Sequence, residues 1–426
     1  VDSERIMGLL TGSGHEIVSD VHQAEAIIVN TCGFIESAKE EAINTILEMA
    51  EYKQEHCRKL IVCGCLAQRY KTELAQAIPE VDCYITLREY PQMSRILSQV
   101  LEQPVAGEYG KNTRLVSTKP WTAYLKIAEG CDNRCSYCAI PGIRGGYVSF
   151  PMEDLIAEAT TLAKQGVKEL VVIAQDTSRY GTDLYGRRRI WDLLRELNNI
   201  DGLHWIRVLY LYPDEIDDEF VTGIRDLDKV IPYFDIPVQH GSDKMLQLMN
   251  RRGSIESILR TVRLIRQTYP MPVLRTTMIV GFPQESEEDF QKMLDFVREV
   301  RWDRLGAFTY SREEQTPAYT MEGQISQEIM DRRLQQLMCV QNEIAQKNSE
   351  ALVGQTLEVL IENQDGLTGM FHGRGIHSAP DGIDGVIKFR ACRPHEMGTF
   401  TMVRITRARH HDLIGEEVAE TETAAA

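Results

Sequence analysis

The stretch Tyr124-Leu125-Lys126-Ile127-Ala128-Glu129-Gly130-Cys131-Asp132-Asn133-Arg134-Cys135-Ser136-Tyr137-Cys138 joins a short apolar strand to three closely spaced cysteines. Thiolates spaced three and four residues apart can converge on one small inorganic core. Their number carries the information. A complete structural zinc site takes four protein ligands. Three thiolates on a four-iron cluster instead leave one iron open to chelate a substrate or cofactor. By spacing alone the run reads as an iron–sulfur site, as a zinc site completed by a distant fourth ligand, or as a chance grouping of buried cysteines.

Outward from this run, strand and helix signals alternate from 121 to about 310. Strands are predicted at Tyr124–Ala128, Glu169–Ala174, Trp205–Leu211, Tyr233–Val238, Leu274–Val280 and Leu305–Tyr310. Helices are predicted to begin near Pro151, Ile190, Ser254 and Ser286. Six βα units of this size fit a partial (β/α)6 barrel, whose chemistry sits beyond the carboxyl ends of the strands. Cys131 follows the first of those strands.

Residues 1–103 show a second alternation. The apolar run Ala26–Asn30 ends at Cys32, a helix-period pattern follows from Ile35 to Ala50, and Leu60–Cys63 ends at Cys65. This βαβ rhythm predicts a doubly wound parallel sheet, with both thiols at strand carboxyl ends. Residues 104–120 read as a linker, and 325–350 as one long helix closing a unit of 121–350. Beyond Gly354, short strands at Thr356–Ile361, Gly385–Phe389 and Thr399–Thr406 predict a small antiparallel β-barrel over 352–416. A frayed tail is expected at 417–426. The fold class is therefore α/β multidomain.

The chain has 426 residues, 47 Lys plus Arg and 63 Asp plus Glu, giving a net charge of −16. That balance excludes a generally basic, phosphate-driven nucleic-acid binder. No apolar run is long enough to span a bilayer, and no signal peptide is visible. Ten cysteines in a chain without an export signal point to metal or redox chemistry rather than a disulfide scaffold.

A CxxxCxxC with an aromatic before its last cysteine, placed after the first barrel strand, resembles the radical S-adenosylmethionine (SAM) superfamily. The flanks Ala123–Gly130 and Ala139-Ile140-Pro141-Gly142-Ile143-Arg144-Gly145 are similar to its methylthiotransferase branch. Ala174–Gly181, Asp183–Gly186, Tyr212-Pro213-Asp214, Asp235–His240 and Phe308–Glu314 resemble the RimO type more than its relative MiaB. Gly373-Arg374, Ala379-Pro380-Asp381 and Asp384-Gly385 resemble a TRAM domain. The similarity covers almost the whole chain.

The resemblance implies a 4Fe-4S cluster on Cys131, Cys135 and Cys138 whose open iron binds SAM. One electron then cleaves SAM to a 5′-deoxyadenosyl radical. It implies a methylthio group added to the β-carbon of one aspartate in ribosomal protein S12 of the small ribosomal subunit. That carbon is unactivated, so a radical must abstract its hydrogen. The neighbouring possibilities are MiaB-like methylthiolation of a tRNA adenosine, or a non-catalytic zinc-containing protein docking on the ribosome. An electron donor such as flavodoxin or ferredoxin, a sulfur donor, a monomeric state and a cytoplasmic location are also implied.

An auxiliary 4Fe-4S cluster is implied on three N-terminal cysteines. Cys32 and Cys65 match two of them. The third lies a few residues before the family's Val-Asp-Ser-Glu, which here is Val1-Asp2-Ser3-Glu4, so it is expected to be missing and the start truncated. Cys57, Cys63 or Cys83 could substitute for that third ligand, but these three, with Cys339 and Cys392, are expected to be buried structural thiols. By superfamily position Ile279 and Gly281 would meet the adenine of SAM. Gln175, Gln239 and Ser242 stand near strand ends as cofactor or substrate contacts, or as turn and capping residues. His410-His411 reads as a solvated strand edge. Segment 1–110 carries 17 acidic and 9 basic residues, and 352–416 carries 8 and 7, so neither is a basic stripe for tRNA. The acidic surplus suits a basic ribosomal protein partner.

Overall fold

The computed structural model describes residues 1–110, 114–382 and 384–418, so the expected tail lies outside the described residues from 419 onward. Two compact units emerge. One comprises Val1–Ser117, Glu129–Tyr147 and Ser311–Thr320; the other comprises Thr118–Ala128, Val148–Tyr310 and from Met321 onward. These units cut across the three sequence segments, because the cysteine loop and residues 311–320 pack with the N-terminal sheet.

In the first unit, β1 (Ala26–Thr31), β2 (Lys59–Gly64) and β3 (Cys83–Ile85) form a parallel sheet in that order. Strand side chains alternate between faces, and β2 shows both sides filled. Leu60 and Val62 pack with Ala42 and Ile46 of α2 (Glu36–Glu51) and with Leu66 and Leu74 of α3 (Cys65–Ala77). Ile61 and Cys63 pack with Ile6 and Leu9 of α1 (Asp2–Thr11) and with Met93 and Leu97 of α4 (Met93–Leu101). This is the predicted doubly wound arrangement. A short helix, α5 (Ile140–Arg144), follows the cysteine loop and rests on the start of α3 through Ile143, Ala139 and Cys65.

In the second unit, β4 (Thr122–Lys126) begins the barrel, and β5 (Ala128–Glu129) and β6 (Val148–Ser149) bracket the cysteine loop in sequence. Then come α6 (Met152–Lys164), β7 (Glu169–Ile173), α7 (Ile190–Asn198), β8 (Trp205–Val208), α8 (Asp218–Gly223) and β9 (Tyr233–Asp235). The barrel closes with α9 (Asp243–Leu248), α10 (Ile255–Thr268), β10 (Val273–Val280), α11 (Glu287–Val300) and β11 (Arg304–Thr309), followed by α12 (Gln327–Glu350). All six predicted barrel strands are present and every pairing is parallel. They form two three-stranded sheets, ordered β4-β7-β8 and β11-β10-β9. These meet where the Leu211 N–H donates to the Asp235 carbonyl at 2.9 Å.

Two of the four predicted helix starts hold for a capping reason. Ser254 accepts from the Ser257 N–H and Ser286 from the Asp289 N–H. The sequence reading missed α8 and α9, each only six residues long.

The C-terminal barrel closes in the order β12-β13-β14-β16-β15, with β12 (Thr356–Gln364), β13 (Phe371–Arg374), β14 (Ile387–Arg390), β15 (Phe400–Arg409) and β16 (Asp412–Glu417). Four of its pairings are antiparallel, but β14 and β16 run parallel. This barrel packs on the amino-terminal ends of the catalytic strands. Tyr124, Val171, Trp205, Tyr233 and Val273 share one core with Leu360 and Ala379. Glu169, the first residue of β7, bonds Arg207 at 2.8 Å and Arg374 at 2.5 Å with all three side chains fully buried.

Candidate functional site

The cysteine loop is shaped by its flanks. The Gly145 carbonyl accepts from the Cys131 N–H at 3.2 Å, and the Cys135 carbonyl accepts from the Cys138 N–H at 3.0 Å. Asp132 Oδ1 accepts from the Tyr147 N–H at 3.2 Å. Ser136 O accepts from the Ala318 N–H at 2.9 Å, which ties the loop to residues 311–320. Cys135 is buried, and Cys131 and Cys138 are half-buried. Among the described residues no His, Cys, Asp and Glu side chains are grouped to enclose a single metal ion. Three cysteine thiols on one loop are a donor set that fits a four-iron cluster with one open iron.

Cys32 and Cys65 follow adjacent parallel strands whose ends are in register, Thr31 beside Gly64. The Thr31 hydroxyl donates to the Cys63 carbonyl at 2.6 Å and pins the two strand ends together. Gly33 makes the close approach possible. A Cβ there would stand 2.8 Å from both N and Cα of Leu66. Cys65 Sγ lies 3.4 Å from Arg144 Nη2. Burial pushes this thiol up, and the Arg144 charge only partly offsets it. Arg144 also bonds Glu129 at 2.6 Å and lies 3.5 Å from Asp2. Burial works against its charge, but Glu129, Cys65 and Asp2 outweigh that and keep the guanidinium protonated. These two thiols fit the auxiliary cluster only in part, because the resemblance implies three.

Around Cys32, Arg69 donates to the Gly33 carbonyl at 2.8 Å and to Glu313 at 3.2 Å. Lys39 reaches the same carboxylate at 3.2 Å. Burial raises the Glu313 pKa, but its bonds with Ser311, Lys39 and Arg69 together hold it below the usual carboxylate range.

The predicted cofactor contacts lie in the second unit. Gln175 and Gln239 each bury a side-chain carbonyl oxygen that meets no hydrogen-bond donor. Such an orphaned acceptor is costly unless a ligand supplies the donor. The Gln239 backbone, at φ 79°, is clamped beside β10: its N–H donates to Thr277 O, and its carbonyl accepts from Ile279, each at 2.8 Å. Ile279 is half-buried. Ser242 is different. Its hydroxyl is committed to Asp289 at 2.9 Å, and Lys244 and Ser286 share that carboxylate. Gly281, at φ 75°, is required by packing, since a Cβ there would lie 2.1 Å from Met330 Cγ.

Cys57 and Cys63 are buried as expected, with burial pushing Cys63 up to about 12, and Cys83 is half-buried. Cys339 and Cys392 correct the reading, since both are exposed. Cys339 lies on α12 and Cys392 at a barrel rim, where it bonds Glu417 at 3.0 Å. His410 is exposed as expected, whereas the His411 ring buries an unpartnered Nδ1. The sequence reading missed Arg69, Glu313 and Arg144 as site residues. Arg144 was within reach of it, six residues past Cys138.

Three family models match: a radical SAM superfamily model over 125–297, the uncharacterized protein family UPF0004 over 1–86, and a TRAM domain over 353–418. A ribosomal protein uS12 methylthiotransferase RimO from Acetivibrio thermocellus is 47% identical, covering 99% of this chain and 96% of the relative. Its counterpart from Alkaliphilus oremlandii is 46% identical with the same coverage. The radical SAM methyltransferase TsrM from Kitasatospora setae has a similar fold at TM-score 0.53 and 12% identity, over 75% of this chain and 78% of its own. The three models fall on the doubly wound unit, the six-strand barrel and the closed C-terminal barrel, and the identity runs through all of them, so the chain belongs to the RimO family of radical SAM methylthiotransferases.

Proposed function

We propose that this chain adds a methylthio group to the β-carbon of one aspartate of ribosomal protein uS12. The observation that carries this reading is the Cys131–Cys138 loop, a three-thiol set at the end of the first barrel strand, in a chain similar to RimO along its whole length. Cys131, Cys135 and Cys138 would hold a four-iron cluster. With SAM bound it supplies the one-electron cleavage that makes a carbon radical able to take hydrogen from an unactivated carbon.

The remaining roles belong to the chain's own side chains. Gln175 and Gln239 offer orphaned acceptors to the amino or hydroxyl groups of the cofactor, and Ile279 offers an apolar edge. Ser242 and Gly281 support the site from behind. Cys32 and Cys65 would be two ligands of the auxiliary sulfur-bearing cluster. Arg144 faces Cys65, and Arg69 fixes the backbone beside Cys32. In this reading 1–103, 121–350 and 352–416 serve as sulfur-donor, radical and docking segments. The protein would work as a cytoplasmic monomer, with flavodoxin or ferredoxin as reductant and a separate sulfur donor. No helix among the described residues is long and apolar enough to cross a membrane.

Cys135→Ala should abolish reductive cleavage of SAM, read as 5′-deoxyadenosine after anaerobic reconstitution. Formation of 5′-deoxyadenosine at the wild-type level by the purified variant would refute the assignment. Iron and sulfide analysis should give about four irons for the Cys131 loop; zinc without iron would favour a binding module. Mass spectrometry of uS12 and tRNA from a deletion strain separates the two substrates: the modification that disappears names the target.

A further inference from the structure

The two faces of β10 differ. Thr276, Met278 and Val280 are buried, while Arg275, Thr277 and Ile279 are half-buried. Paired residues on neighbouring strands share a face. The register sets Arg275 between Asp235 and Arg304, Thr277 beside Gly306, and Ile279 beside Phe308. The same face closes over an apolar core at the strand starts and opens toward their ends, where Phe308 is 58% exposed. Tyr210, 46% exposed and at φ 62°, follows β8 on this open side.

Arg275 stands on this face just past the apolar core, between Asp235 and Arg304 of the neighbouring strands. Arg275 Nη1 lies 2.7 Å from Asp235 Oδ1, and Asp235 Oδ2 accepts the Tyr210 N–H at 3.0 Å. The Tyr210 ring is near enough to feel both charges. A guanidinium has five N–H donors. Asp235 takes one of Arg275's and holds that end of the guanidinium, and the side chain keeps 21% of its surface exposed.

We infer that Arg275 recognises the side-chain carboxylate of the acceptor aspartate and is the specificity-determining residue of the inner face. This rests on the function proposed above. A guanidinium fork matches a carboxylate in a plane, which a lysine cannot do. Holding the fork in place beforehand removes much of the ordering cost of binding. An adenine base brings no carboxylate, so the same residue discriminates against a nucleic-acid acceptor.

The test uses the full chain, reconstituted anaerobically, with uS12 carrying either Asp or Asn at the acceptor position. Arg275→Gln should raise the KM for uS12 about tenfold or more, while the SAM dissociation constant stays at its wild-type value. Wild type should prefer Asp over Asn, and the variant should lose that preference. Arg275→Lys should recover part of it. An unchanged KM with the preference intact would overturn the inference, as would weaker SAM binding in place of weaker uS12 binding. If circular dichroism shows that the glutamine variant is unfolded, the Asp/Asn preference of the lysine variant decides. Failure of wild type to cleave SAM at all would count against the function, not against Arg275.

Discussion

The two ends of the same barrel strands make opposite use of polar groups. At the amino-terminal end, Glu169, Arg207 and Arg374 bury their charges against one another, and Tyr233 donates to Asp384 at 2.6 Å. At the carboxyl-terminal end, Gln175 and Gln239 bury oxygens without donors. Paired charges hold the C-terminal barrel to the strands at the first end, although Arg207 Nη2 is buried there without an acceptor. At the second end two uncharged acceptors remain for ligands. What sets the ends apart is charge pairing at the one and neutral acceptors without donors at the other.

The contrast is easiest to break at the charge-paired end. Glu169→Ala would leave the buried Arg207 without a carboxylate and Arg374 with Glu362 alone, and should cost about 3–5 kcal/mol, read as a lower midpoint in urea unfolding. Burial raises the Glu169 pKa, but Arg374 and Arg207 outweigh it and hold the carboxyl below its ordinary 4.5. The stability it lends is therefore present above that pH and is lost as pH falls through the lower folded value. Thermal unfolding between neutral and acid pH should show the loss in wild type and less of it in the variant.

A smaller effect is expected in the first unit. Gly33→Ala forces a Cβ onto the α3 backbone and should cost about 1–3 kcal/mol. It should also move Cys32 away from Cys65, which crosslinking of the two thiols would detect as a slower reaction. Tyr233→Phe removes one buried bond, and Asp384 keeps the Ala379 N–H. Its cost should be about 1–2 kcal/mol by the same urea unfolding.

The smallest stability effect should come at the open end. Gln175→Leu removes an acceptor that has no donor, so unfolding should shift by less than about 0.5 kcal/mol. SAM binding by calorimetry should weaken roughly 2- to 10-fold. If Gln175→Leu destabilised the fold as much as Glu169→Ala, the distinction between the two ends would fail.

Much of this was legible beforehand. The six strand runs, the serine caps of α10 and α11, and the placement of Cys32, Cys65 and Cys131 after strands all follow from local periodicity and turn chemistry. Strands β13 and β16 escaped notice because Phe371–Arg374 is short and Asp412–Glu417 mixes charge with a glycine. The exposure of Cys339 and Cys392 was also out of reach, since a lone cysteine carries no periodic signal.

The sequence by itself determined the cysteine spacing, the strand–helix rhythm and the family. Each is a local property, written in the spacing of residues along the chain. Tertiary structure alone decided that Ser242 is spent on Asp289 while Gln175 and Gln239 are left unmet. It also decided that Arg144 meets Cys65, 79 residues away, and that Arg275 lies beside Asp235 on the half-buried face of β10. Those outcomes depend on which donor reaches which acceptor across the fold. Only the register of distant strands sets that pairing.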